Sequence, residues 1–479
     1  MLTIHLDSTS ATPLYEQIYQ YIKLEIINGS LNFHTKLPST RGLATHLSVS
    51  RNTIDMAYGQ LLSEGYIESI EKRGYYVSQI SNMTHITTTK DRNNNVIKNI
   101  MDDSKKENIY TSYLYNFSPF TIDLESFPYN TWRKLSKNCL NDNNRDLFLL
   151  GMNQGDDNLR SSITKYLHQS RGVNCNKEQI IIGAGVDYLL QLLAQLIPTK
   201  TQIAMENPTY KRAYKIFTGL NYSVAPISLD SSGISMEELK DSDANIVYVT
   251  PSHQYPLGVV MPINRRLELL NWSNEYPNRY IIEDDHDSEF RYIGKPIPSL
   301  QGMDSNENVI YIGTFSRAIA PAIRIGYMVL PHPLLELYKE KLTHYSCTVS
   351  RVDQSILTGF IEGGYFERHL NKMRKVYKAK HDTLMNALKI FEGSIKIHGE
   401  NAGLHLIIQF FIPISESQLI DMAKENKIKL YGLSEHYITP PKDAPPTILL
   451  GYANLSETEI EKGVELLYHS LKSMVEKKI

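Results

Sequence analysis

Five short segments combine groups able to do chemistry: Gly183-Ala184-Gly185, Glu206-Asn207-Pro208, Pro251-Ser252-His253-Gln254, Glu283-Asp284-Asp285-His286 and Gly313-Thr314-Phe315-Ser316. Each has a plain alternative. Gly-Ala-Gly before a helix can present amides to a phosphate, but a tight turn explains the same glycines. Glu283, Asp284, Asp285, His286, Asp287 and Glu289 offer hard oxygens and an imidazole to a divalent metal, although such a run is more often a solvated loop. Asp284 differs from its neighbours because it directly ends an apolar run, so its burial is expected.

The hydrophobic pattern shows which elements must position these segments. Most of the β-rich runs at 180–183, 202–206, 245–250, 279–284, 309–313 and 324–330 have strand length. Helical stretches separate many of them, for example 186–196 and 334–344. This alternation predicts an α/β fold with a mostly parallel, doubly wound sheet. In such a sheet ligands bind beyond the carboxyl ends of the strands, where the five segments lie.

Residues 1–80 carry another pattern. Leu14, Ile18, Ile22 and Ile26, with Tyr21, form the stripe of an amphipathic helix closed by Asn28-Gly29. A second short helix opens at Pro38-Ser39-Thr40 and buries Leu43 and Leu47. Ser50 caps a third, in which Ile54, Ala57, Tyr58, Leu61 and Leu62 make one apolar face. Residues 66–70 and 75–77 then pair as a hairpin around Glu71-Lys72-Arg73-Gly74. The order predicts a winged helix-turn-helix, its third helix reading the major groove, its second helix and wing holding phosphates. Arg41, Arg51, Lys72 and Arg73 occupy those places. The segment has six basic residues against seven acidic ones, so placement rather than net charge argues for DNA. A small helical packing domain is the alternative.

The whole chain of 479 residues balances 50 Lys and Arg against 52 Asp and Glu, which excludes a uniformly basic nucleic-acid coat. Its 42% hydrophobic content is globular, and no apolar run reaches the roughly 18 residues of a membrane span. Cys139, Cys175 and Cys347 lack the close spacing of a zinc or redox motif. With no signal-peptide pattern at the start, a cytoplasmic location is expected. Residues 81–113 read as a polar linker rich in Asn, Thr and charge, with one short helix near 97–101.

Two stretches resemble parts of one family. LPSTRGLATHLSVSRNTIDMAYGQLLSEGYIESIEKRGYYV is similar to the GntR-type winged helix, with LPS-x-R, SR-x-T, L-x-x-EG-Y and a wing ending in RG. By that resemblance the DNA contacts are Ser39, Arg41, Ser50, Arg51, Thr53, Arg73 and Gly74, with Asp55 where some GntR proteins carry a basic residue. PSHQ-x-P-x-G, IIEDD-x-DSEF, GTFS and NAGLH follow in order through residues 114–479. They resemble the fold type I aminotransferase domain (a PLP-dependent transferase-like fold) of the MocR family, which a linker joins to a GntR-type winged helix. The resemblance implies a winged helix over 1–80, a linker over 81–113, and an aminotransferase-like, effector-sensing domain over 114–479 with a small lobe at about 375–479. It further implies a transcription regulator that binds double-stranded operator DNA, pyridoxal 5'-phosphate and a small-molecule effector, acting as a head-to-tail, domain-swapped homodimer.

Carried onto this chain, the family's site uses Asp284 to keep the pyridine nitrogen protonated, so that the ring withdraws electrons. Tyr210 covers the ring, while Thr314, Ser316, Arg324 and the amides at Gly185 and Val186 hold the phosphate. His286 stands where the family has a tyrosine toward the phenolic oxygen, a donor that imidazole can replace. Arg212 keeps one carboxylate-binding position for an effector.

Three departures set the functional expectation. Arg317, in GTFSRAIAPAIRIGY, occupies the Schiff-base lysine position; its guanidinium stays protonated and offers no neutral amine. Asp187 stands near the phosphate cradle where a neutral amide is usual, and a carboxylate there repels phosphate. Glu435, in LYGLSEHYI, replaces the arginine of GABA-responsive members, which argues against GABA as effector. The expectation is a DNA-binding regulator whose catalytically inactive domain binds pyridoxal phosphate or a related effector without a covalent link. The alternatives are a pyridoxal-phosphate-dependent aminotransferase, which would lack its lysine proton shuttle, and a metal-dependent hydrolase built on residues 283–289.

Overall fold

The computed structural model describes residues 4, 6–7, 10, 12–79, 113–292, 297–442 and 444–475. All of the expected linker except Tyr113, including its short helix near 97–101, lies outside the described residues. The chain forms two compact units, Met1–Ile109 and Tyr110–Ile479.

In the first unit the helices Leu14–Ile27, Thr40–Leu47 and Arg51–Ser63 precede an antiparallel hairpin of β1 (Ile67–Ile70) and β2 (Gly74–Val77). The apolar stripes meet in one core, where Ile18, Ile22, Ile54, Tyr58 and Leu61 are fully buried. Each such side chain contributes roughly 1.5–3 kcal/mol by leaving water. The Tyr58 hydroxyl donates to the Pro38 carbonyl at 3.0 Å, tying the third helix to the start of the second.

The second unit opens with β3 (Tyr115–Asn116) and is built around an eight-stranded sheet. Its strands are β4 (Ile180–Gly183), β5 (Gln202–Asn207), β6 (Ser223–Asp230), β7 (Gly233–Ile234), β8 (Ile246–Val249), β9 (Tyr280–Asp284), β10 (Val309–Thr314) and β11 (Gly326–Val329). They lie in the order β4-β11-β10-β9-β8-β5-β6-β7. The run from β10 to β6 is parallel, and β11 is antiparallel to both its neighbours. β4, β8 and β11 are buried along their whole length, which is why they read as unbroken apolar runs. β6 and β7 were not expected from the pattern. β6 contains Pro226 and is mostly exposed or half-exposed, and β7 is a two-residue edge, so neither carries a strong apolar signal.

An antiparallel sheet of β12 (Ile395–His398), β13 (His405–Phe410), β15 (Tyr431–Gly432) and β16 (Thr447–Gly451) forms the smaller C-terminal lobe. β14 (Ile428–Lys429) pairs in parallel with β3, so residues just after the linker are stitched into the C-terminal part. The helix Tyr365–Ala387 runs through residue 375 and packs on Glu457–Val475. Among the described residues no helix is long and apolar enough to cross a membrane.

Candidate functional site

A cavity of about 230 Å³ lies where the ends of β9 and β10 meet the start of the helix Val186–Ala194. Val186, Tyr210, Asp284, His286, Thr314, Ser316, Arg317 and Arg324 all line it, as do Asp187 and Arg212. Gly185 stands behind the wall with φ +86°, and a Cβ there would sit 2.8 Å from the Arg324 guanidinium. Only glycine satisfies both conditions.

Glu435 is not brought to this cavity. It is exposed on the short turn Leu433–His436, whose buried residues are Leu433 and His436, the His436 ring lying 5.2 Å from Tyr255.

At one end of the cavity Asp284 is almost completely buried and accepts the Tyr248 hydroxyl. Burial pushes its carboxyl up to about 7, the Tyr248 hydrogen bond partly opposes this, and nearby carboxylates add to the rise. A protonated ring nitrogen would supply the missing positive partner. Tyr210 precedes the helix Lys211–Gly219 and stands edge-on to Tyr255 at 5.9 Å. His286 lies 5.0 Å from the Tyr255 ring, and burial lowers its pKa to about 4, so it is a neutral imidazole.

At the other end, Thr314 and Ser316 bond each other at 3.0 Å, and the Ser316 amide donates to the Thr314 hydroxyl at 3.1 Å. Arg324 donates to the Ala184 carbonyl at 3.0 Å and sits 3.4 Å from Asp187. Arg212 approaches the same Asp187 oxygen at 3.9 Å.

Arg317 does not reach freely into the space. Its Nε and Nη2 each donate to Asp287 at 2.9 Å, and Nη1 donates to the Pro119 carbonyl at 2.7 Å. Burial pushes the Asp287 carboxyl up, but the Arg317 charge more than offsets this and holds it far below the usual range. Asp287 and Arg324 both have left-handed backbones, φ +53° and +51°, a strain of about 1–3 kcal/mol each at a ligand cavity.

The acidic run does not converge on a metal. Glu283 accepts the Leu300 and Gln301 amides, each at 2.8 Å, while Asp285 is forked by Arg171 at 2.8 and 2.9 Å. Asp284 faces the cavity and Asp287 serves Arg317. Among the described residues no three His, Cys, Asp or Glu side chains form a metal-holding group. Reasoning from sequence missed Phe120, Thr250, Tyr255 and the role of Asp287. The Asp287 role had one signal: a buried arginine requires a carboxylate.

In the first unit Ser39 and Ser50 act as helix caps, accepting the Gly42 amide at 3.1 Å and the Thr53 amide at 3.2 Å. Thr53 also bonds the Ser50 hydroxyl at 2.8 Å, so this pair shapes the start of the third helix. Arg51 is 64% exposed there and lies 3.4 Å from Asp55. Arg41, Arg73 and Gly74 are exposed, Gly74 with φ +104° at the wing.

Fold and site together define a class: a winged-helix regulator carrying an aminotransferase-like domain. Residues 14–77 match the family of bacterial regulatory proteins, gntR family, and residues 123–467 match aminotransferase class I and II. The chain is 40% identical to the uncharacterized HTH-type transcriptional regulator YdeL of Bacillus subtilis (strain 168), over 97% of this chain and 98% of that protein. It is 30% identical to the probable rhizopine catabolism regulatory protein MocR of Rhizobium meliloti, over 96% and 94%. The kynurenine aminotransferase of Pyrococcus horikoshii matches with TM-score 0.67 and 25% identity, over 76% of this chain and 91% of that one. The chain belongs to the MocR-like family of HTH-type transcriptional regulators with an aminotransferase class I and II domain.

Pyridoxal phosphate is the cofactor of that domain family, and when bound it supplies an electron-withdrawing pyridinium ring. The residues present fit its ring, with Asp284 for the nitrogen and Tyr210 for the face. Among the described residues that line the cavity there is no lysine, and Arg317 is one of them.

Proposed function

We propose that this protein is a DNA-binding regulator whose large unit binds a small aromatic effector, pyridoxal phosphate or a relative of it, without a covalent bond and without catalysing amino transfer. The observation that carries this reading is the Arg317–Asp287 pair: a guanidinium held by two 2.9 Å bonds stands where the resemblance places the reactive amine. Thr314, Ser316, Arg324 and the amides at Gly185 and Val186 serve the end of the ligand opposite Asp284, and Arg212 lies beside them at the rim. His286 donates or accepts at the ring edge as a neutral imidazole.

The winged helix binds operator DNA through Arg51 and Thr53 at the start of the third helix, Ser39 and Arg41 at the second, and Arg73 and Gly74 in the wing. Ser50 acts there chiefly by capping. A homodimer is part of the same proposal. Leu140, Phe148, Leu149, Leu150 and Met152 are exposed within one short stretch, and exposed apolar side chains gathered in this way suit an interface with a second copy. Cytoplasmic placement follows from the DNA target.

The test combines two assays on the full chain. Specific binding to DNA upstream of the protein's own gene is expected, together with no amino-group transfer from a panel of amino acids in the presence of pyridoxal phosphate. Turnover by the wild type, or no sequence-specific binding to any DNA in a selection from random sequence, overturns the reading.

A further inference from the structure

Both arginines at the outer end of the cavity, Arg324 at 49% and Arg212 at 66% exposed, lie near one carboxylate that lines the same cavity. A single oxygen of Asp187 lies 3.4 Å from Arg324 Nη2 and 3.9 Å from Arg212 Nη1. Asp187 is the second residue of the helix Val186–Ala194, so its charge also complements the positive end of that helix from within. The Arg324 guanidinium is further held by the Ala184 carbonyl at 3.0 Å and packs on the bare face of Gly185. Arg317, the third arginine of the cavity, is held by Asp287 and the Pro119 carbonyl. A dianion entering at this end meets, beside these two guanidiniums, the like-charged carboxylate of Asp187. The opposite end has no such defect: Asp284 is buried among Tyr210, Tyr248 and Tyr255, ready for a protonated ring nitrogen.

We infer that Asp187 stands in for a phosphate, so that the cavity takes an unphosphorylated heteroaromatic base of the pyridoxine class in preference to its phosphate ester. This rests on the reading of the cavity as a site for a pyridine-type ligand. Such a ligand places its ring nitrogen on Asp284 and a neutral hydroxymethyl group near Asp187, to which it donates a hydrogen bond. Asp187 is thereby a specificity residue: it rewards a neutral donor and penalises a phosphate at the same spot.

Pyridoxine and pyridoxine 5'-phosphate test this cleanly, because they differ only in the phosphate and lack an aldehyde that could react with surface lysines. Titration calorimetry on the full-length protein at pH 7.5 is expected to show pyridoxine binding at least tenfold more tightly than its phosphate. Asp187→Asn is expected to reverse that ratio by tenfold or more, mainly by tightening the phosphate ester, with its melting temperature checked against wild type. Tighter binding of the phosphate by wild type, or an unchanged ratio in a folded Asp187→Asn, overturns the inference while the cavity reading stands. No binding of either compound to wild type, with DNA binding intact, overturns both.

Discussion

In the winged-helix unit Arg41, Lys72 and Arg73 stand exposed and, among the described residues, have no carboxylate partner, whereas in the large unit the buried Arg171 and Arg317 each face one. The difference follows from where the charges sit. An exposed guanidinium is hydrated and needs no internal anion, so it stays available for a DNA phosphate. A buried one requires compensation within the fold, and once compensated it is a poor receptor for another anion. The same residue type is thus left available at the surface of one unit and builds a wall in the other. Arg51, 3.4 Å from Asp55 yet 64% exposed, is the intermediate case, because a pair this wet contributes little and exchanges easily for a base edge.

The buried side of this contrast breaks most severely at Asp287. Asp287→Ala leaves the Arg317 guanidinium, 13% exposed, without its anion, and about 3–5 kcal/mol of the large unit's stability should be lost in urea unfolding. A loss below about 1 kcal/mol would mean that the pair is not a buried structural one. On the exposed side, Arg51→Ala should weaken specific operator binding by about 1–3 kcal/mol if Arg51 reads a base. Arg73→Ala should weaken specific and non-specific DNA alike and lower the slope of log affinity against log salt by about one, as loss of a phosphate contact does. Ser50→Ala removes the cap at the Thr53 amide and should cost about 1 kcal/mol of stability in the first unit, followed by circular dichroism, with little effect on the salt slope.

A further effect is pH-dependent. Burial raises the Asp284 carboxyl from 3.8 to about 7. Its contribution is therefore fully present below about pH 4 and is lost as pH rises to about 7, where the buried acid must ionise. Asparagine cannot ionise. The melting temperature of Asp284→Asn minus that of wild type should grow between pH 4.5 and 7 and level off above it. A constant difference across that range would place Asp284 in contact with solvent or a fixed cation.

Much of this contrast was legible in the residues themselves. The winged helix could be read almost element by element, because Ile18, Ile54 and Leu61 repeat at helical spacing and Ser39 and Ser50 carry cap chemistry. The parallel core of the sheet was equally readable, since strands such as β8 and β11 are apolar on both faces. β6 escaped because its exposed, proline-containing run lacks alternation. In the cavity, the family resemblance pointed to Asp284, Tyr210, Thr314 and Arg324, and all four line it. The Asp287–Arg317 and Asp187–Arg212 partnerships join residues about 25–30 positions apart and arise only when separate elements meet. Glu435 shows the opposite limit, since a motif fixes the neighbourhood of a side chain but a one-residue turn phase decides whether it faces in or out.

Borohydride reduction tests the central claim most directly. Purified full-length protein is mixed with pyridoxal phosphate, reduced, and mapped by peptide mass spectrometry. The expected result is no pyridoxyl adduct on any residue near the cavity in wild type, and an adduct at position 317 in Arg317→Lys. A wild-type adduct on a lysine of the cavity region would contradict the account, because the site would then retain the covalent chemistry that Arg317 is argued to have removed.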